Sequence, residues 1–333
     1  MTAVAETSDK LPVTVLAGFL GAGKTTLLRR ILSNPRGVRY GVLVNDFGAI
    51  NIDAELVVET GADQISLANG CICCTIKDDL VEAIGQLVAL DPPPDHLLIE
   101  TSGVSRPIAV ADALLDPSLA ERVTLDGVFC LIDAAGFREL DYASTELAIE
   151  QASSSDMVIL NKCDIATPED LATVTATLRG PVPNTRFLPT QFAEVSPEIL
   201  FGRTDDRPAK TAAHGHHDRH DHEHGHGHEG HHHHDHGDEF QAWSWQSSAP
   251  LDREAFRSVV RRLPAALLRA KGVIVFSDRR AERAVFQMVG RRYTIEVESG
   301  SPPAISSLVA IARAGSLDAD ALTELLNGCV PKG

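Results

Sequence analysis

The chain of 333 residues lacks the features that mark several large classes of protein. No apolar run reaches the ~18 residues that a membrane-spanning helix needs. Basic residues are few, since 30 Lys and Arg stand against 46 Asp and Glu, and the net charge of −16 argues against nucleic acid or anionic lipid as a partner. Gly and Pro are too scarce for a disordered or collagen-like chain. We therefore expect an acidic globular protein with no nucleic-acid and no membrane partner.

The N-terminal residues lack the pattern of a secretory signal. The first ten carry Glu6 and Asp9, and the apolar stretch after them contains Pro12, so a cytoplasmic location is expected. Six cysteines are too sparse and too unevenly placed for a disulfide framework in such a compartment. Three of them fall within four positions, and this spacing indicates metal or redox chemistry instead.

One histidine-rich segment divides the chain. It mixes His with Gly, Asp and Glu and has no periodic apolar face, which predicts a disordered linker. Imidazoles bind zinc, nickel, copper and cobalt, so the segment is a candidate for secondary metal binding, with a merely solvating linker as the alternative. The expected divisions are a first domain at 1–195, a linker at 196–238 and a last domain at 239–333. The candidate secondary ligands are His214, His216, His217, His220, His222, His224, His226, His228, His231, His232, His233, His234 and His236.

The first domain alternates apolar runs with helical patterns. Helices are predicted at Thr26–Ser33 and Ile76–Leu90, among others. Because parallel strands need crossover connections, this alternation predicts an α/β fold with a doubly wound parallel sheet, whose ligands bind at the carboxyl ends of the strands. The predicted strands are Val13–Phe19, Tyr40–Phe47, His96–Glu100, Gly127–Asp133 and Met157–Asn161.

The last domain has a different pattern, which predicts a smaller α+β domain with mostly antiparallel strands. Helices are expected at Arg253–Leu263 and near Asp318–Asn327. The predicted strands are Phe240–Gln246, Val273–Phe276, Ala284–Val289 and Tyr293–Val297.

The segment Gly18–Thr25 follows a predicted strand, opens a predicted helix and has the pattern of a phosphate-binding loop. Its glycines let backbone N–H groups surround phosphate oxygens at the positive end of the helix. We expect Lys24 to neutralise the β- and γ-phosphates and the Thr25 hydroxyl to bind Mg²⁺. The candidate nucleotide contacts of this segment are Gly18, Gly21, Ala22, Gly23, Lys24, Thr25 and Thr26.

Two further strand ends carry candidate nucleotide contacts. Asn161, Lys162 and Asp164 follow one strand, and a carboxylate there can accept both donors of guanine, which predicts GTP over ATP. Glu100 ends another strand and can hold Mg²⁺ directly or through water, while Gly103 can offer its N–H to the γ-phosphate. Lys24 and Glu100 are the candidate catalytic residues.

The residue after Gly103 is Val104 rather than a glutamine that could orient water. A slow intrinsic GTPase is therefore expected, which a partner or metal accelerates. Arg106 is a candidate charge donor on proximity in sequence alone.

Cys71, Cys73 and Cys74 are the candidate primary metal ligands. They precede a predicted helix start, where the helix dipole favours thiolates. Three thiolates supply most of a tetrahedral shell for Zn²⁺ or a similar ion, although three buried cysteines without metal are the plain alternative. Asp46, Asp53 and a ligand from a client protein are options for the fourth position.

Taken together, these motifs resemble the CobW family of P-loop GTPases, a group of proposed metallochaperones. The resemblance implies that the three cysteines bind metal in a nucleotide-dependent way and that the helix start, with Thr75 and Lys77, approaches GTP. One departure is Asp46, where the family more often has Glu. The similarity rests on Gly18–Thr25, Asn45–Gly48 with Asp53, Gly70–Cys74, Glu100–Gly103, Asn161–Asp164, the histidine-rich linker and Leu267–Gly272.

The resemblance implies a GTP-hydrolysing metallochaperone that passes a divalent metal, zinc first of all, to a client protein, with GTP and Mg²⁺ as its other cofactors. Co²⁺ for cobalamin synthesis or for nitrile hydratase activation is an alternative within this mechanism. A passive histidine-rich metal buffer with a regulatory GTPase module is an alternative of another class, and a small-molecule kinase is a third. The client is unassigned, and a homodimer is one option for the assembly.

Overall fold

The structure is a computed structural model that describes residues 10–44, 64–67, 76–202, 240–298 and 301–331. Within these ranges the first domain forms a seven-stranded sheet and the second domain a five-stranded sheet. All strand pairs of the first sheet are parallel and those of the second are antiparallel. The α/β class with a smaller second domain is thereby confirmed. No described helix is long and apolar enough to cross a membrane.

The first sheet has the strand order β3-β2-β4-β1-β5-β6-β7. Its strands are β1 (Leu11–Gly18), β2 (Tyr40–Val44), β3 (Gln64–Leu67), β4 (His96–Glu100), β5 (Val123–Asp133), β6 (Met157–Asn161) and β7 (Phe187–Pro189). The described helices of this domain are α1 (Lys24–Ser33), α2 (Ile76–Val88), α3 (Ile108–Leu114), α4 (Tyr142–Ser153), α5 (Pro168–Arg179) and α6 (Pro197–Phe201).

Burial on both faces explains why the central strands are easy to predict. Every residue of β2, β4 and β6 is buried, as expected for a parallel sheet that is covered by helices on both sides. β4 and β6 have the predicted bounds. β3 and β7 were not predicted, because strands of four and three residues show no periodicity.

The second sheet has the order β11-β10-β9-β12-β8, and its helices are α7 (Arg253–Val260) and α8 (Ala319–Asn327). Its strands are β8 (Phe240–Ser247), β9 (Leu267–Ile274), β10 (Arg283–Val289), β11 (Arg292–Glu298) and β12 (Ser306–Arg313). The helix predicted at Arg253–Leu263 ends at Val260. The strand predicted at Val273–Phe276 begins at Leu267 and ends at Ile274, and β12 was missed altogether.

Helix α6 corrects the predicted start of the linker. Its residues fall within the range 196–238, yet Ile199, Leu200 and Phe201 are buried in the core of the first domain. Phe201 packs edge-on against the His96 ring, with ring centroids 4.8 Å apart. The first domain therefore continues to the end of α6. Residues 203–239 lie outside the described ranges, so the rest of the predicted linker stays a prediction.

The second domain is bonded to the first by two cations of β9, Arg269 and Lys271. The Arg269 guanidinium is 1% exposed and donates to the Asp126 carboxylate and to the carbonyl oxygens of Ile199 and Leu200. Lys271 donates to the Phe201 carbonyl at 3.2 Å. These cations therefore satisfy carbonyl groups at the C-terminal end of α6, which a helix leaves without intrahelical partners.

A second ion pair extends the domain interface. The Arg292 guanidinium contacts the Asp156 carboxylate at 2.9 Å and donates to the carbonyl oxygens of Leu125 and Asp126. Asp126 lies near the start of β5, and Asp156 directly precedes β6. The second domain thus packs on the amino-terminal edge of the parallel sheet, opposite the edge where its ligands are expected.

We expect Asp126→Asn to destabilise the protein by about 3–5 kcal/mol, because it leaves the buried Arg269 charge without its partner. The measurement is urea unfolding at pH 7. The matched control is Asp278→Asn, which removes the carboxylate of a surface pair with Arg253 and should change stability little. Equal effects of the two substitutions would contradict this account.

The effect of Asp126→Asn on stability should depend on pH. Burial alone would raise the pKa of Asp126, but the charges of Arg269 and Lys271 outweigh it and hold the pKa below the usual value of an aspartate. The ionised carboxylate therefore contributes its full stabilisation at pH values above the usual aspartate pKa. This contribution is lost as the pH falls through the lowered pKa of the folded state. The difference between wild type and Asp126→Asn should shrink in acid, as measured by urea unfolding across a pH series.

Candidate nucleotide-binding site

The phosphate loop connects the end of β1 to the start of α1, as the sequence predicts. Gly23 adopts φ 107°, and a Cβ atom at this position would lie 2.3 Å from Nδ2 of Asn161, so the site requires glycine. The Lys24 ammonium donates to the carbonyl oxygens of Gly18 at 2.9 Å and Phe19 at 3.1 Å. The loop is therefore closed around its own lysine, next to the N-terminus of α1.

Thr25 in the first turn of α1 and Glu100 at the end of β4 lie close together, because β1, which precedes α1, and β4 are neighbours in the sheet. The Thr25 hydroxyl donates to Oε1 of Glu100 at 2.7 Å, and Glu100 is 4% exposed. A hydroxyl beside a carboxylate is an all-oxygen donor set of the kind that Mg²⁺ prefers. The two residues predicted to hold Mg²⁺ therefore fit that ion.

Asn161 joins two loops of the site. Its Nδ2 donates to the Ala22 carbonyl of the phosphate loop at 2.9 Å, and its Oδ1 accepts from the Ala193 N–H at 2.8 Å. Ala193 belongs to the loop after β7, which the sequence analysis missed. Phe192 and Ala193 have φ angles of 51° and 54°, a strained conformation for residues with a side chain. The weak signal for this loop was a polar stretch, Thr190–Gln191, after a short apolar run.

Lys162 and Asp164 follow Asn161 at the same edge of the sheet. Lys162 has φ 62°, and its ammonium lies 2.7 Å from Oδ2 of Asp133 at the end of β5. Asp164 is exposed, so its carboxylate is accessible to a nucleotide base from solvent. Asp133 was not predicted, although a carboxylate at a strand end follows the reasoning that singled out Glu100.

The loop after β4 lies against the phosphate loop. A Cβ atom on Gly103 would lie 2.5 Å from Cδ2 of Leu20 and 2.8 Å from its main-chain nitrogen, so the two loops pack closely here. Arg106, the predicted charge donor, pairs with Glu150 of α4 at 2.9 Å, with 66% of its side chain exposed. Thr26, another predicted contact, is exposed on the first turn of α1.

Several predicted residues lie outside the described ranges. They include the three candidate metal ligands, the candidate switch residues Asp46 and Asp53, Thr75 and all histidines of the linker. Lys77 lies in the first turn of α2, but its side chain is not described. Within the described ranges no group of three metal-binding side chains forms a metal site. Of the other cysteines, Cys130 is buried in β5, where burial raises the pKa of its thiol to about 12, consistent with the predicted core role.

Three features define a P-loop nucleotide-binding protein. A phosphate loop follows a central strand of the parallel sheet, a hydroxyl and a carboxylate lie beside that loop, and an Asn-Lys-x-Asp turn lies at the same edge. The chain belongs to the CobW/HypB/UreG family, because the family's nucleotide-binding domain matches residues 12–189. The C-terminal domain of the cobalamin synthesis protein cobW matches residues 240–330. The family predicted from the motifs is thereby confirmed.

Curated relatives carry names that refer to zinc. The chain is 34% identical over 234 residues to the zinc chaperone CobW of Sinorhizobium sp, which covers 61% of this chain and 65% of that protein. It is 37% identical over 207 residues to the zinc-regulated GTPase metalloprotein activator 1 of Schizosaccharomyces pombe, covering 60% of this chain and 48% of that protein. The chain thus spans between about half and about two thirds of the length of these relatives.

Solved structures resemble the chain more distantly. The Zn(II)-bound YjiA GTPase from E. coli is 24% identical, with 97% of this chain and 99% of that chain covered and a TM-score of 0.43. HypB from Helicobacter pylori in complex with nickel is 18% identical, with 56% and 81% covered and a TM-score of 0.39. Similarity at this level supports no statement about function.

We expect Asn161→Ala to weaken GDP binding by about 5- to 150-fold, because it leaves the Ala22 carbonyl and the Ala193 N–H without their partner and so loosens both loops. The measurement is a calorimetric titration with GDP. Asn327→Ala is the matched control, since Asn327 accepts a hydrogen bond from Trp245 within the second domain. Unchanged GDP affinity in Asn161→Ala, with the protein folded, would contradict the bridging role.

Proposed function

We propose that this chain is a GTP-hydrolysing metallochaperone that binds a divalent metal, zinc first of all, through Cys71, Cys73 and Cys74 and transfers it to a client protein. The observation that carries the nucleotide part is the Asn161 side chain, which holds the phosphate loop and the loop after β7 in one arrangement. The names of the curated relatives support the metal part.

Guanine is the base that the geometry favours. Asp164 is exposed beside Lys162, whose ammonium is held by Asp133. A carboxylate in this place can accept the ring N–H and the exocyclic amine of guanine, whereas adenine lacks that pair of donors. The proposed nucleotide is therefore GTP rather than ATP, which also argues against a small-molecule kinase that uses ATP.

The residues of the phosphate loop have separate roles in the proposed reaction. Main-chain N–H groups of the loop and the α1 N-terminus bind the phosphates, and Lys24 neutralises their charge. Thr25 and Glu100 would hold Mg²⁺, which would supply positive charge to offset the negative charge that develops during transfer. No glutamine follows Gly103, so the intrinsic rate is slow in this proposal.

The elements that flank the cysteines in sequence support their role in the proposal. Strand β3 ends at Leu67, on the carboxyl edge of the sheet, and α2 begins at Ile76. Leu80, Ile84 and Leu87 of α2 are buried against the sheet. This connection supports metal ligands that respond to the nucleotide, because the phosphate loop and Glu100 belong to the same edge.

A metalloprotein client and a cytoplasmic location complete the proposal. The linker histidines are proposed as secondary metal ligands. A homodimer is an option for the assembly, and the mass of the protein in analytical ultracentrifugation tests it.

We expect Asp164→Asn to lower the affinity for GDP by about a hundredfold or more, because an amide cannot accept both guanine donors. Affinity for xanthosine diphosphate, whose ring carries an oxygen in place of the exocyclic amine, should rise relative to GDP. Competition against a fluorescent nucleotide measures both. Equal preference of the variant and the wild type for GDP over the xanthine nucleotide would exclude Asp164 as the base-binding residue.

We expect one zinc site of the reduced protein to change its affinity tenfold or more between GDP and a non-hydrolysable GTP analogue with Mg²⁺, a coupling of about 1.4 kcal/mol. Competitive titrations with Zn²⁺ and Co²⁺, in the full chain and in a variant without residues 214–236, measure it. Cys73→Ser should abolish this site in both proteins.

The same titrations distinguish the alternatives. Loss of most metal capacity on deletion of 214–236, with no nucleotide-sensitive site left, would favour the passive buffer. Tighter nucleotide-coupled binding of Co²⁺ than of Zn²⁺ would favour the cobalt alternative. Equal affinity in both nucleotide states would mean that GTP acts on something other than metal.

A further inference from the structure

Gln151 of α4 is a fully buried polar side chain that bonds the loop after β4. Its Nε2 donates to the carbonyl oxygen of Gly103 at 3.0 Å and to that of Ser105 at 2.9 Å. The side chain is 0% exposed. One amide group therefore fixes two peptide units of a loop that is 46 to 48 residues away in the sequence.

Burying the Gln151 amide carries a free-energy cost. Oε1 of Gln151 has no hydrogen-bond partner among the described residues, and an unsatisfied buried acceptor opposes folding. Its neighbours on the buried face of α4 are the small apolar residues Ala148 and Ala152. An apolar side chain would suit this face without that cost, so the contribution of Gln151 lies in its two bonds to the loop.

The opposite side of the same loop touches the phosphate loop. Gly103 packs so closely on Leu20 that a Cβ atom would lie 2.8 Å from the Leu20 main-chain nitrogen. The loop begins directly after Glu100, whose carboxylate accepts the Thr25 hydroxyl. The loop is thus held between the buried amide of α4 on one side and the phosphate loop on the other.

A surface ion pair lies beside the amide but contributes less. Arg106 pairs with Glu150 at 2.9 Å, and the two side chains are 66% and 41% exposed. Exposed pairs of this kind contribute little, because solvent screens them and two flexible side chains must be ordered. Gln151, rather than the neighbouring Glu150, is therefore the anchor of the loop.

We propose that Gln151 is a positioning residue that fixes the loop after β4 so that its main chain meets the γ-phosphate of GTP. This rests on the proposed function. GDP has no γ-phosphate, so the anchor acts on GTP binding and hydrolysis and leaves GDP binding unaffected. Gln151 itself does not touch the nucleotide, and its effect passes through the Gly103 and Ser105 peptide units.

The test uses the full chain with Gln151→Met, which keeps the length of the side chain and removes both donors. We expect GDP affinity within twofold of wild type, with affinity for a non-hydrolysable GTP analogue and kcat both lowered about tenfold or more, because small displacements of positioning groups have effects of this size. Gln151→Glu, which when ionised presents only acceptors to the two carbonyl oxygens, should be impaired at least as much. Fluorescence titration and single-turnover hydrolysis measure these quantities.

Two variants serve as controls. Ser153→Ala removes a hydroxyl of the same helix that donates to Ile149 and should match the wild type in every assay. Glu150→Gln removes the ion pair with Arg106 and should change kcat less than twofold. An effect of Glu150→Gln equal to that of Gln151→Met would overturn the proposal, since the ion pair would then be the anchor.

A merely structural role gives a different result. If Gln151→Met lowers GDP and analogue affinity by the same factor, or lowers only the unfolding temperature, the proposal fails. Hydrogen exchange of residues 101–106 in the wild type is a second measurement that needs no variant. The GTP analogue should protect this segment more than GDP does, and equal protection would also overturn the proposal. Absence of GTP hydrolysis by the wild type would instead refute the proposed function.

Discussion

The nucleotide edge of the sheet depends on the Asn161 side chain. Strands β1, β6 and β7 are parallel and end at one edge, so a single amide can bond the main chain of the phosphate loop and of the loop after β7. Ala193 has a left-handed backbone conformation, which costs about 1–3 kcal/mol in a residue with a side chain. The amide holds this conformation in place, and with it the relative positions of the phosphate-binding and base-binding sides.

The two edges of the parallel sheet are used differently. The carboxyl edge carries the phosphate loop, Glu100 and Asn161, whereas the amino-terminal edge carries the interface with the second domain. Strands β5 and β6 connect the edges, with Asp126 and Asp156 near their starts and Asn161 at the end of β6. A displacement of either strand would therefore move residues at both edges, because packed strands move as units rather than deforming smoothly.

How much the sequence predicts depends on where the partner of each residue lies. The bounds of β4 and β6 were predicted because each strand has a short apolar run that ends in a polar motif. Strand β9 was misplaced because Arg269 and Lys271 interrupt its apolar pattern, and their partners, Asp126 and the α6 carbonyls, are more than 60 residues away. The phosphate loop and Thr25 were predicted because their spacing is local, and Glu100 was predicted because it ends an apolar strand. Ala193 acts through its own main-chain N–H, and Gln151 bonds main-chain oxygens of a distant segment, so neither contact leaves a pattern in the sequence.

Asn161, Gln151 and Arg269 share one physical arrangement, although they serve different parts of the molecule. Each is a buried polar side chain that bonds main-chain atoms of a segment distant in sequence. Apolar side chains of similar volume would fill the same space and avoid the cost of desolvation, and for ion pairs such exchanges are often neutral or stabilising. Apolar side chains would not fix the orientation of the bonded peptide units, because a hydrogen bond is directional and van der Waals contact is not. The polar groups are therefore concentrated where a loop or a domain must take one orientation, and the surrounding core is left apolar.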